Sequence, residues 1–207
     1  MRLYLASTSP ARLQTLRAAG IEPVVRPSHV DEDAAVAAAG PLTPAEMVEL
    51  LARVKAEAVL APGVDGFVLG GDSAFELDGV VYGKPHTAPV AKERWLLQRG
   101  RTGLLHSGHW LIDHRGGTVR AAAGAVSTAR VSFAADISDA ELDAYIATGE
   151  PLKVAGAFTI DSLGAPFITA VDGDPHAVVG LSLATLRTLF GGFGVEWHEL
   201  WTGARQG

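Results

Sequence analysis

The stretch "GFVLGGDSAFELDGVVYGKP", residues 66–85, carries an apolar run, two adjacent glycines, one aspartate and a turn in twenty positions. Gly66 to Leu77 reads as a strand interrupted at Gly70-Gly71. Asp78-Gly79 is the favoured two-residue hairpin turn, and Val80-Val81-Tyr82 returns antiparallel. The turn pairs Leu77 with Val80, Phe75 with Tyr82 and Ser73 with Lys84. Gly83 and Pro85 flank Lys84, so regular pairing is predicted to stop there, and the break is predicted to turn Lys84 toward Asp72. An acid at the end of a buried strand, beside glycines that let a ligand or metal approach the backbone closely, marks Asp72 as a candidate for chemistry rather than as a turn cap.

Upstream, Leu3 to Ala6 reads as a strand and Pro10 to Ala19 as a helix. Ser9 is its N-cap, Pro10 its first residue and Gly20 its C′ position. Arg12 is the third residue of this helix, where a cation faces the positive end of the helix dipole, so its presence asks for a reason. Pro23 to Arg26 is a second strand. Asp31, Glu32 and Asp33 are three acids entering an Ala-rich segment, and Thr43-Pro-Ala-Glu46 is a capping box for a helix to about Leu60. Downstream, Pro89 to Leu97 is a helix, followed by a Gly/Arg loop at 99–103. Leu104–Asp113 and Thr118–Phe133 are two long antiparallel strands, and Ser138-Asp-Ala-Glu141 caps another helix that ends at Thr148. Phe167–Val171 and Ala177–Val179 read as strands, and Leu183–Phe190 as the last helix. Hairpins among helices favour α/β architecture with a mixed sheet over a purely parallel one.

The chain has 207 residues, 48% hydrophobic and 19% charged, with a formal net charge of −6. That length buries a real core as one domain, 1–207, without a separable linker. The acidic balance disfavours a general nucleic-acid binder, and there is no basic-aromatic stripe. No cysteine is present, so disulfides and thiolate chemistry are excluded. No apolar run approaches the ~20 residues of a membrane span, and the first residues lack a signal-peptide plan, so a cytoplasmic location is expected. The seven histidines show no metal-ligand spacing. His106 and His109 are read as structural.

Three hydroxyls (Ser7, Thr8, Ser9) and Arg12 at a helix start form an anion-binding arrangement, with free N–H groups and a forked donor. Asp72 with one of the acids at 31–33 offers a hard oxygen site for Mg²⁺ or Mn²⁺. "TGEPLKVAGAFTIDSLG", residues 148–164, gathers Glu150, Lys153 and Asp161 among glycines. Together these parts suit a phosphate chain, which would occupy the space in front of Arg12.

In order and spacing, "LASTSPARLQTL", "GGDSAF…GKP" and "GEPLKVAGAFTIDSLG…VVGLSL" resemble the signature segments of the Maf family of nucleoside triphosphate pyrophosphatases, over about residues 3–190. The resemblance implies a two-lobed, Maf/ITPase-like α/β fold with an elongated mixed β-sheet, flanking helices and a central cleft. It implies hydrolysis of a nucleoside triphosphate to the monophosphate and pyrophosphate with a divalent metal (Mg²⁺ or Mn²⁺), and members are often homodimers. Apolar residues in "WLLQRG" and "FGVEW" are candidates for such an interface.

By position, the resemblance makes Asp72, Lys84 and Lys55 catalytic, with Asp72 the proton acceptor. Ser7, Ser9 and Arg12 fall in the phosphate-binding turn, with Lys153 and Asp161 as further substrate contacts. Glu32 and Asp72 become metal ligands. Ala11 stands where the family often has a first arginine. Asp161 stands where one selective branch has Gln and another Glu, and Ser162 replaces a common Gly. A second reading is a nucleotide-binding regulator of septum formation with little or no catalysis; metal-dependent release of pyrophosphate separates the two.

Overall fold

Leu3–Ala6 forms strand β1 and Pro10–Ala18 helix α1; the first turn is set by Ser9, whose Oγ accepts from Arg12 N. Val24–Val25 is strand β2, a shorter piece than the predicted 23–26. The acidic run starts a short helix, α2 (Glu32–Ala39), with Asp31 as its N-cap. Helix α3 (Pro44–Ala58) opens on the capping box expected of Thr43 and Glu46. Strand β3 (Gly66–Leu77) passes Gly70-Gly71 without interruption, correcting the predicted break. A computed structural model describes residues 1–202, and the last five positions of the expected 1–207 domain lie outside the described residues.

Strand β4 (Val80–Tyr82) pairs antiparallel with β3 in the predicted register: Leu77 with Val80, Phe75 with Tyr82. Asp78 (φ 53°) and Gly79 (φ 77°) take the left-handed conformations that a type I′ turn requires. The ladder ends at Tyr82, short of the predicted Ser73–Lys84 pair. Helix α4 (Ala88–Gln98) and strand β5 (Thr102–His114) follow, then β6 (Ala121–Phe133) and α5 (Asp139–Ala147). The connection at 148–164 contains two 3₁₀ turns, Glu150–Lys153 and Ala155–Ala157, and a third at Ala165–Phe167 leads into β7 (Ile168–Asp172).

The segment read as a strand at 177–179 is instead helix α6 (Pro175–Val179). Asp174 Oδ1 accepts from His176 N at 2.8 Å, and Pro175 supplies the φ of a first helical residue. This local start overrides the β-branched pair Val178-Val179. Helix α7 (Leu183–Gly192) is capped by Ser182, whose Oγ accepts from Thr185 N.

Among the described residues, seven strands form a mixed sheet in the order β2-β1-β3-β5-β6-β7, with β4 attached to β3. β1 is parallel to both β2 and β3, whereas the β3/β4 and β6/β7 pairs are antiparallel. The architecture is therefore α/β with the mixed sheet expected.

The chain forms two compact units. The first comprises residues 1–72, 107–127 and the chain from Gly180. Its core holds Leu5, Leu16, Phe67, Leu69, Leu186 and Phe190 on one side, and Tyr4, Ala56, Val68 and Ile112 on the other. The second comprises Ser73–His106 and Thr128–Val179. Its core is aromatic: Phe75, Trp95, Phe133 and Phe158 meet edge to face, and the Trp95 indole donates to Ala157 O at 2.8 Å. Among the candidate interface residues, Leu96 and Leu97 are exposed while Trp95 and Val195 are buried.

The two histidines on β5 are structural, as read. His106 is hydrogen-bonded to Glu76 and Thr128, while His109 Nε2 accepts from Ser182 N and its Nδ1 faces Ala125 O.

Candidate active site

Four charged side chains meet in the first unit, each delivered by a different element. Asp72 ends the unit's share of β3. Lys55 comes from the last turn of α3, Glu32 opens α2, and Arg12 lies in the first turn of α1. Lys55 Nζ lies 2.6 Å from Asp72 Oδ1 and 2.8 Å from Glu32 Oε1. The Lys55 and Asp72 side chains are 10% and 14% exposed, whereas Glu32 is half exposed.

Gly70 and Gly71 make this convergence possible. A Cβ on Gly70 would stand 1.9 Å from Ala52 O, so the glycine lets the α3 backbone lie against the strand and brings Lys55 level with Asp72. A Cβ on Gly71 would stand 3.1 Å from Arg12 Nε. The sequence reading reserved this space for a ligand or metal; it is filled by a helix and by Arg12.

Arg12 is buried. Its Nε donates to Gly180 O at 2.8 Å, and Nη1 donates to Ser7 Oγ at 3.1 Å. Ser7 is itself buried and also accepts from Ser9 N. The cation at the helix start is thus held by internal acceptors; burial lowers its proton affinity, against the opposing fields of Asp72 and Glu32. Burial pushes the Asp72 carboxyl above the ordinary carboxylate range, against the opposing pull of Lys55 and Arg12.

Ser7, Ser9, Arg12, Glu32, Lys55 and Asp72 are therefore assembled in one unit. Lys84, Lys153 and Asp161 belong to the second unit, and all three are exposed. In the 148–164 segment Glu150 is turned onto its own loop. Its carboxylate accepts from Thr159 Oγ1 (2.5 Å), Ser162 Oγ (2.7 Å), Tyr145 Oη (3.1 Å) and the backbone N–H groups of Leu163 and Gly164. Burial raises the Glu150 carboxyl, but these donors outweigh it and hold it below its usual value.

Sequence reasoning missed Gly180. Its contribution is a carbonyl, 168 positions from its partner, and no residue-type pattern marks a backbone acceptor.

Among the described residues no group of three or more His, Cys, Asp or Glu side chains is placed to hold a metal. Glu32 and Asp72 do reach a common cation. A two-carboxylate donor set fits Mg²⁺, which keeps waters and takes substrate phosphates as further ligands.

The Maf-like protein family model matches residues 2–193. Relatives named nucleoside triphosphate pyrophosphatase match over nearly their whole lengths. That of Leifsonia xyli subsp. xyli is 68% identical, covering 99% of this chain and 98% of its own. That of Nocardia farcinica is 52% identical, covering 96% of each. That of Corynebacterium efficiens is 46% identical, covering 98% of this chain and all of its own. Matched along nearly all of its length, the chain belongs to the Maf-like protein family.

Proposed function

We propose that this chain is a nucleoside triphosphate pyrophosphatase, a hydrolase that cleaves a nucleoside triphosphate to the monophosphate and pyrophosphate in nucleotide house-cleaning. The observation that carries the reading is the Lys55–Asp72 pair beside buried Arg12, in a chain whose relatives bear that name.

A water attacks the α-phosphorus and pyrophosphate leaves. Asp72 accepts the water's proton. Its burial raises its proton affinity, against the opposing pull of Lys55 and Arg12. Arg12 and Lys55 also neutralise charge on the phosphate chain, where most catalysis of phosphoryl transfer lies. Ser7 and Ser9 set the turn that presents Arg12. Glu32 and Asp72 would hold a Mg²⁺ or Mn²⁺ ion, which supplies Lewis-acid stabilisation of phosphoryl oxygens when bound.

Catalytic action of Lys84 and nucleotide contact by Lys153 and Asp161 are parts of the proposal that rest on family resemblance. Each is tested by its own alanine variant. A cytoplasmic location, where nucleotide pools lie, and a homodimer belong to the same proposal. Among the described residues no helix is long and apolar enough to cross a membrane.

The regulator of septum formation without catalysis is not favoured, because relatives from several genera carry the enzyme's name. The test is pyrophosphate release over standard and modified triphosphates, with and without Mg²⁺ and Mn²⁺. Release from at least one substrate, abolished by chelator, is expected; binding of triphosphates with no release from any would return the regulator reading.

A further inference from the structure

The Lys55 ammonium stands where a cation bridging Glu32 and Asp72 would stand. Its Nζ is 2.6 Å from one carboxylate and 2.8 Å from the other. We propose that Lys55 is the resident counter-ion of this carboxylate pair and exchanges with a divalent cation, which releases the ammonium onto phosphate oxygens. The inference rests on the metal reading given above and assigns Lys55 a step of its own.

Three observations carry it. The ammonium and the Asp72 carboxylate are both largely withdrawn from water, so a second cation arriving at the same oxygens meets a like charge that solvent screens poorly. The stem that carries the ammonium is flexible while its base is fixed. α3 is seated against β3 at Gly70, and Ala52 and Ala56 are fully buried, but the lysine side chain has four rotatable carbons beyond that anchor. The charges also balance only in the present arrangement. Lys55 and Arg12 cancel Glu32 and Asp72, so a divalent ion leaves the site with two surplus positive charges, a sign that suits a triphosphate.

Exchange makes metal and phosphate mutually dependent. The metal frees a phosphate donor, and by linkage the phosphate chain must strengthen metal binding by the same factor. It also explains why two carboxylates suffice as protein ligands: the remaining ligands arrive with the substrate.

Two measurements test this. Binding of Mn²⁺ to metal-free protein is followed by the electron paramagnetic resonance of the free ion, for wild type and for Lys55→Met. Removing the resident cation is expected to tighten Mn²⁺ at least tenfold, and Glu32→Gln to weaken it in both backgrounds. In the second, the wild-type protein carrying ¹⁵N at lysine Nζ is titrated with Mg²⁺, and the Lys55 resonance is identified by its loss in Lys55→Arg. The resonance is expected to shift and lose its protection from solvent exchange as Mg²⁺ saturates. A resonance that stays in place overturns the exchange whatever the Mn²⁺ affinities are, and it does so without relying on the fold of Lys55→Met. Unchanged or weaker Mn²⁺ binding by a folded Lys55→Met also overturns it, while pyrophosphate release by the wild type leaves the enzyme reading intact. If neither protein binds Mn²⁺ and release ignores chelator, the metal reading and this inference fall together.

Discussion

Lys55 Nζ and Asp72 Oδ1 are 2.6 Å apart, and both side chains are almost wholly withdrawn from water. A pair of this kind stabilises a fold little, because desolvation offsets most of the attraction. Its value lies in tuning Asp72.

Asp72→Asn is expected to lower kcat for pyrophosphate release by about 10²–10⁴-fold, the range for losing a general base. Triphosphate affinity measured without divalent metal should change little. Because burial favours the neutral form of this carboxyl, the variant should melt no lower than wild type at neutral pH. Calorimetry and single-turnover kinetics check the two halves, and near-normal turnover would remove Asp72 from the chemistry.

The pH profile of kcat/KM should show an acid limb above the ordinary carboxylate range, since burial raises Asp72 and activity needs its ionised form. Lys55 pulls in the opposite direction, so Lys55→Met should move the limb to still higher pH. In the stability profile the sign is reversed. A raised carboxyl contributes stability that is present below its unfolded value of about 3.9 and is lost as pH rises through the folded value.

Arg12→Lys retains the charge but not the planar fork that serves Gly180 O and Ser7 Oγ at once. Loss of a charge-assisted hydrogen bond at a buried carbonyl should cost about 1.5–3 kcal/mol in urea unfolding. KM should rise more than kcat falls. A variant as stable as wild type would show that the Gly180 contact contributes nothing.

Gly70→Ala puts a methyl group against the Ala52 carbonyl, a backbone atom that cannot rotate away. Destabilisation of about 1–3 kcal/mol or more is expected, with activity falling because α3 and Lys55 are pushed from Asp72. At the nearby Gly71 the three nearest atoms to an added Cβ belong to the Arg12 side chain, so Gly71→Ala should unfold at higher urea than Gly70→Ala.

Glu150 gathers five donors, and its carboxyl lies below its usual value because those hydrogen bonds outweigh burial. The stability it supplies is therefore present above its unfolded value of about 4.3 and lost as pH falls through the folded one. Glu150→Gln should flatten that acid-side loss in thermal melts. It should also speed backbone hydrogen exchange at Leu163 and Gly164.

Local chemistry made much of this protein legible before any tertiary contact was known. Ser9, Thr43 and Ser138 announced their helices because an N-cap is satisfied within four residues. Asp78-Gly79 announced its hairpin and register because a two-residue turn leaves one antiparallel pairing. Ala177–Val179 reads as a strand for the converse reason: two valines suggest one, yet the turn at Asp174-Pro175 ahead of them has already started a helix.

The charged residues were recognisable by type and motif, but their bonding was not. The glycine pair in β3 signalled close approach without saying that a helix and Arg12 would be the neighbours. Gly180 offers only a carbonyl, and its pairing with Arg12 spans 168 positions. Short-range patterns record what the chain can satisfy within a turn or a hairpin. Which buried charge meets which acceptor is decided only when the core closes and water is no longer there to solvate them.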